Sequence, residues 1–277
     1  PDLSTNVCRP AGVGTALLEW DSFGWPPGSL IHNGNVTGLG NVAFAIATNS
    51  SFASPLQVNG TNSGGLQREG SLHQNILVPS GGQTTTTVIT LPTAVPGAQF
   101  SLFDVDGNPL NVRDRVTITG NYQGNTVIPV LTQGVTHTVS GNQATGFSLS
   151  DATSADGNLV VTFTQPINGI TIIYEGLTTL SSGSPLPESI SIYDILFCQP
   201  TTQIDVAKTS LVVSDPVSGT NSPKAIPGAI VQYCLALANT GISAADNIVA
   251  TDTLPATVTL IAGSIRSGPD CDNATTV

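Results

Sequence analysis

Apolar and polar residues alternate with a period of two along much of this chain, the pattern of strands with one face in a core and the other toward solvent. The pattern is clearest at Leu159, Val161 and Phe163, where the intervening residues are polar or smaller, and it repeats at Ile170, Ile172 and Tyr174. The same reading predicts strands at 14–20, 41–48, 86–91, 98–105, 115–120, 126–131, 158–164, 169–175 and 189–197. Between the two clearest strands, Gln165, Pro166, Ile167 and Asn168 form a connection short enough for a hairpin. Residues 49–82 are rich in Asn, Ser and Gly without periodicity, and predict long surface loops with one weak strand near Ile76. Nine strands at this spacing predict a jelly-roll-like β-sandwich over residues 1–198.

A short polar run at 199–203 reads as a linker, and a second module fills 204–277. Its best strand, 230–239, places Val231, Tyr233, Leu235 and Leu237 on one face and Gln232, Cys234, Ala236 and Ala238 on the other. Cys234 therefore points away from the larger apolar side chains, where a loop carrying Cys271 could be stapled to the sheet. Five segments here occur in a familiar order: Val206-Ala-Lys-Thr-Ser, Ile226-Pro-Gly-Ala-Ile-Val-Gln-Tyr, Asn239-Thr-Gly, Asp252-Thr-Leu-Pro and Ala262-Gly-Ser. Through them residues 205–277 resemble the bacterial and archaeal surface-protein repeat known as domain of unknown function eleven. The resemblance implies an Ig-like sandwich used as a stalk or repeat in large extracellular proteins. That family's domain continues with further strands, so the module is expected to lack its last strands at Val277, either because the chain was cut or built short or because a strand from another copy completes the exposed edge. Residues 1–198 more loosely resemble the amino-terminal modules of bacterial adhesin-like surface proteins. The likeness runs through Phe100-Ser-Leu-Phe-Asp-Val-Asp, Asp114-Arg-Val-Thr-Ile-Thr-Gly and Ile192-Tyr-Asp-Ile-Leu-Phe-Cys.

Composition sharpens this picture. Only 9% of the 277 residues are charged, Met is absent, and Gly, Ser, Thr, Asn and Pro abound, which favours strands and turns over helices. The fold class read from the sequence is all-β. A formal net charge of -11, with seven scattered basic residues, leaves no patch to neutralise a phosphate backbone and argues against a nucleic-acid partner. No apolar run reaches the roughly 20 residues of a membrane span, and the amino terminus has neither an initiator Met nor a signal-peptide core, as expected of a processed, secreted chain. Cys8, Cys198, Cys234 and Cys271 are widely spaced, without the spacing of a zinc site, and read as disulfides formed in an oxidising compartment. Of the three possible pairings, Cys8 with Cys198 and Cys234 with Cys271 keep each bridge inside one module. Sequons stand at Asn35, Asn49, Asn59 and Asn273.

Candidate chemistry is sparse. Strand parity puts Asp104 and Asp106 on the face of Phe100 and Leu102, Asp114 on the face of Val116 and Ile118, and Asp194 on the face of Ile190 and Ile192. Inward carboxylates need a compensating partner, and calcium, with Asn108 adding to the shell, is the natural one. The competing reading makes Asp106-Gly107-Asn108-Pro109 an ordinary turn whose aspartates bond turn amides or pair with Arg113 or Arg115. Asp151 and Asp156 present a weaker second cation candidate in a Ser-bearing loop. Trp20 and Trp25, beside Phe23, form the aromatic cluster of a chain with 5% aromatics, either a platform for sugar rings or core. His32, His73 and His137 are isolated, no nucleophile motif is present, and Glu19 with Asp21 is a carboxylate pair on a single strand end, so no enzyme is expected. The leading expectation is a non-enzymatic extracellular structural protein, a subunit of a cell-surface filament, sheath or surface layer joined by strand complementation. The alternative is a calcium-dependent adhesin or glycan-binding module on an Ig-like stalk.

Overall fold

The computed structural model describes residues 8, 14–67, 69–79, 83–108, 110–178, 184–243 and 245–276; Pro109, Val277 and residues 68 and 80–82 of the expected loop region lie outside them. The chain divides into two compact units, 1–201 and 202–277. Unit 1 opens with β1 (Thr15–Leu18), one helical turn α1 (Trp20–Phe23), β2 (Ile31–Val36), β3 (Gly40–Thr48), β4 (Gln57–Asn59) and β5 (Ser71–Val78). It continues with β6 (Gln83–Val95), β7 (Ala98–Phe103), β8 (Val112–Tyr122), β9 (Asn125–Val127), β10 (Val130–Thr132), β11 (His137–Ser140) and β12 (Gln143–Gly146). Four strands close it: β13 (Leu159–Phe163), β14 (Ile167–Thr178), β15 (Leu186–Ile192) and β16 (Ile195–Cys198).

These strands form two antiparallel sheets packed as a sandwich. One runs β1-β16-β7-β15-β5-β4, with β13 also on β7 and β10 beyond it; the other runs β11-β12-β8-β14-β6-β3-β2, with β9 on β8. The inner faces follow from alternation. Val112, Asp114, Val116 and Ile118 of β8 are buried, as are Ile170, Ile172 and Tyr174 of β14, and across from them lie Phe100 and Leu102 of β7 and Leu159, Val161 and Phe163 of β13. Each such apolar side chain contributes roughly 1.5–3 kcal/mol by leaving water. A buried hydrogen bond from Gln74 Nε2 on β5 to Thr87 Oγ1 on β6, 2.9 Å, also ties the two sheets together.

Three expectations are corrected. Residues 165–168 do not make a hairpin, because β13 pairs with β7 and β10 while β14 pairs with β6 and β8. Phe163 and Ile167 are both buried, so the connection arches across the core from one sheet to the other. The expected strand at 126–131 is likewise two strands in different sheets, β9 on β8 and β10 on β13, separated by Ile128 and Pro129. The supposed weak strand near Ile76 is β5, eight residues paired with β15 and β4. Its periodicity was masked because polar Gln74 takes the inward phase of Leu72, Ile76 and Val78, where it bonds Thr87, while apolar Leu77 takes the outward phase. In that outward phase His73 Nδ1 meets Ser191 Oγ at 3.1 Å.

The expected strand at 189–197 is interrupted. Ile190 and Ile192 face the core on β15, whereas on β16 Ile195 and Phe197 do so, a change of parity at Tyr193-Asp194. Both strands lie along β7, Ser191 and Ile192 against Phe103 and Leu102, Leu196 and Phe197 against Gln99 and Ala98. An inserted residue flips the side-chain phase, as a bulge does. β16 also pairs with β1, and the Cys8–Cys198 disulfide fastens the chain ahead of β1 to the end of β16.

In unit 2, β17 (Ile204–Ser214) and β18 (Ile230–Asn239) pair antiparallel, and β19 (Arg266–Ser267) pairs with β20 (Thr275–Thr276). Of the expected second sandwich, the described residues form only these two-stranded sheets. Cys234 on β18 is bonded to Cys271. Among the described residues of this unit no apolar side chain is buried, and Asp215 is the buried residue. Its carboxylate accepts bonds from Val217 N, Ser218 N and Oγ and Lys224 N, which closes the turn after β17.

Candidate functional site

The strongest convergence of ligand-type side chains lies where β1 runs into α1. Glu19 is the residue between them, its carbonyl accepting Ser22 N–H at 3.2 Å, and the turn ends at Gly24 in the left-handed conformation, φ 75°. That tight turn brings Asp21 back beside Glu19, and Glu69 arrives from the segment entering β5. One carboxylate oxygen from each of Glu19, Asp21 and Glu69 lies within 4.8 Å of the others. Gly70 leaves room for the Asp21 carboxylate in this position, which a Cβ there would displace.

Asp194 completes the surroundings. At the break between β15 and β16 its Oδ1 accepts Trp20 N–H at 3.0 Å. Burial raises its pKa to about 7, Trp20 opposes the shift, and Glu19 and Glu69 add to it. The Tyr193 hydroxyl is pushed up by burial first and then by Asp194, Glu69, Glu19 and Asp21. Its ring stacks on Phe103 with centroids 4.9 Å apart. Chemically, the triad is an all-oxygen donor set of the kind hard cations take. Two oxygens that each stand about 2.4 Å from a calcium ion are at most about 4.8 Å apart, so the spacing fits.

The five residues predicted as one metal site do not come together. Asp194 belongs to the corner just described. Asp104, Asp106 and Asp114 gather near the β7–β8 connection, but no three of their ligand atoms come within metal-sharing reach among the described residues. Asn108 is turned away: its Oδ1 accepts Leu110 N–H at 2.9 Å, as the turn reading requires. Their partners are protein groups. Tyr174 Oη donates to Asp114 Oδ1 at 2.8 Å, Asp106 N to Asp114 Oδ2 at 3.2 Å, and Ser150 N and Oγ to Asp106 Oδ2 at 2.6 and 3.1 Å. Asp104 adopts φ 65°, a left-handed conformation that Asp tolerates better than most residues, and accepts Ser189 Oγ at 3.3 Å. Asp151 caps its own turn through Thr153, and the Thr153 hydroxyl lowers its pKa first.

Trp20 and Trp25 are not an exposed platform. They are 1% and 6% exposed; Trp20 packs against Phe23 and Phe44, and Trp25 against Trp20 and Phe44, with Trp20 5.3 Å and Trp25 5.6 Å from Phe44. Two histidines have structural roles. His137 Nε2 accepts Gly134 N–H at 3.0 Å, which leaves Nδ1 as the donor to Val105 O at 2.9 Å, and burial lowers the pKa of both His137 and His73. Glu69 was missed by the sequence reading, since it sits in an aperiodic segment; Glu19 and Asp21 were visible as a pair whose third member only the fold supplies.

Fold and disulfides together define an all-β sandwich protein, cross-linked in both units and carrying an acidic corner suited to a cation. No family model matches the chain, and no curated protein does either. Among solved structures, glucan binding protein C of Streptococcus mutans matches at 10% identity and a TM-score of 0.31. The match covers 57% of this chain and 52% of that one, about half its length. At that score the likeness carries no argument, and function rests on this chain's own residues.

Proposed function

We propose that this chain is a non-enzymatic extracellular surface module, in which unit 1 is a calcium-dependent binding platform and unit 2 belongs to the stalk. The acidic corner carries the reading: Glu19, Asp21 and Glu69 offer three oxygens at the spacing of a shared ion. Calcium takes six to eight oxygens, so such an ion keeps positions open for water or for neighbouring hydroxyls of a sugar, which makes glycan the ligand class that suits it. Two disulfides fit maturation outside a reducing cytoplasm. The structural roles of His73 and His137 support a non-catalytic role.

Calorimetric titration of the chain with calcium, paired with thermal unfolding, tests this. Saturable binding is expected, with stabilisation of about 2.7 kcal/mol at a hundredfold excess over Kd. Asp21→Asn together with Glu69→Gln removes both effects. Absence of heat and of any shift in the wild-type protein would overturn the calcium reading.

A second reading is favoured by the partly covered apolar face of β17 and β18, where Ile248, Val249, Ala250 and Thr251 lie against it yet Val206 and Leu237 stay 62% and 45% exposed. A two-stranded ribbon is marginal alone and takes added strands readily. On this reading unit 2 joins copies of the chain into a surface assembly.

A further inference from the structure

At one end of unit 1 the chain leaves β3 at Thr48 and crosses to the other sheet, where it runs beside β5: Leu77 N–H donates to Ser51 O and Ala53 N–H to Asn75 O, each at 2.8 Å. Beside this crossing lies a cleft of about 380 Å³, a size that suits a small-molecule ligand. Leu77 near the end of β5, Pro79 just after it and Pro185 just before β15 give the cleft its apolar surface. Asn49 and Ser51 of the crossing and Gln83, the first residue of β6, give it polar groups, and no charged side chain lines it.

The bonds that hold this lining in place leave particular atoms over. Thr48 Oγ1 donates to Thr84 O at 3.1 Å and accepts Ser50 N–H at 3.0 Å, and Ser50 Oγ donates to Leu77 O. Asn49 Oδ1 accepts Thr84 N–H at 2.8 Å; a backbone N–H can only donate, so the oxygen of the amide is the engaged end and Nδ2 the free one. Gln83 Oε1 is buried with no hydrogen-bond partner among the described residues. An enclosed acceptor without a donor bears its full desolvation cost, which a hydroxyl brought to it would relieve.

We infer that this cleft is a second binding site, one that takes a neutral sugar ring without calcium. A pyranose carries hydroxyls that donate to the Gln83 carbonyl and accept from the Asn49 amide, and a C–H face that suits Leu77 and the two prolines. A charged ligand would find no counter-charge in the lining and would be costly to desolvate there. The net charge of -11 disfavours anions further. The cleft is separate from the acidic corner: Gly70 leads into β5 and Leu77 lies near its far end, about 23 Å further along at roughly 3.3 Å per residue. Neither site needs the other.

Saturation-transfer NMR with the methyl glycosides of glucose, galactose and mannose tests this, with a chelator present and with chain shown by intact mass to carry no sugar at the Asn49 sequon. Transfer to the ring protons of at least one glycoside is expected. Gln83→Leu keeps the bulk of the side chain and removes its amide, and should weaken that binding about tenfold or more. Both tryptophans of the chain lie in unit 1, so Trp fluorescence during urea unfolding reports this unit alone, and the Gln83→Leu midpoint should stay at or above that of the wild type. Ser51→Leu narrows the cleft from an exposed position and carries the test if Gln83→Leu does not fold. Asp21→Asn together with Glu69→Gln should leave sugar binding unchanged. Absence of transfer to all three glycosides, or transfer that survives both Gln83→Leu and Ser51→Leu, overturns the inference. Transfer that appears only when calcium is restored overturns it as well and belongs to the acidic corner. Sugar binding under chelator without any heat on calcium titration supports this site while the calcium reading falls.

Discussion

Strand β14 of unit 1 and strand β18 of unit 2 carry the same period-two apolar pattern. Ile170, Ile172 and Tyr174 of β14 are at most 1% exposed, whereas Tyr233, Leu235 and Leu237 of β18 are 38%, 36% and 45% exposed. Pattern decides which side chains share a face; the second layer decides whether that face leaves water. β14 has β6 and β8 on its edges and the other sheet above it, while β18 has β17 alone. Unit 1 is therefore a core closed by a disulfide, and unit 2 is a sheet with no opposing sheet among the described residues.

The sharpest way to break that contrast is to delete a large side chain from each. Phe100→Ala is expected to cost about 3–5 kcal/mol in urea unfolding of unit 1 followed by Trp fluorescence, and Leu235→Ala less than about 0.5 kcal/mol in the unfolding of unit 2 followed by far-ultraviolet circular dichroism. Equal costs would mean that unit 2 has a core after all. Next in size is the bridge between Cys8 and Cys198, which spans 190 positions. Replacing both with Ser should lower unit 1's stability by about 4 kcal/mol, while the same change at Cys234 and Cys271 leaves the Trp-reported transition in place. Smallest is the effect on self-association. If copies cover the β17–β18 face, sedimentation velocity shows a concentration-dependent oligomer that Leu235→Asp returns to monomer; a wild-type monomer at every concentration removes strand exchange as the cover.

How much of this was legible depends on how far apart the determining residues are. The inner faces of β8, β13 and β14 follow from local alternation, and so does the inward placement of Asp114. The β13–β14 arch was not legible, because Gln165-Pro166-Ile167-Asn168 serves a hairpin as well as a crossing, and the choice is made by partners such as Leu102 and Ile89 far along the chain. β5 was obscured because polar Gln74 lies at the inward phase, satisfied by Thr87 of the other sheet, and apolar Leu77 at the outward one. The acidic corner shows the same limit. Glu19 and Asp21 are neighbours in sequence, but Glu69 joins them only after β5 has been threaded between β4 and β15, and Asp194 only because one extra residue at the β15–β16 break changes the phase.

The bridge from Cys8 to Cys198 also has a mechanical meaning. A pull applied between the segment before Cys8 and the segment after Cys198 passes through a covalent bond rather than through the hydrogen-bonded strands. The 190 positions it encloses lie outside the load path, so roughly 650 Å of extensible chain is never released. Under tension along that line unit 1 behaves as a short, inextensible link, and whatever yielding occurs must take place beyond residue 198.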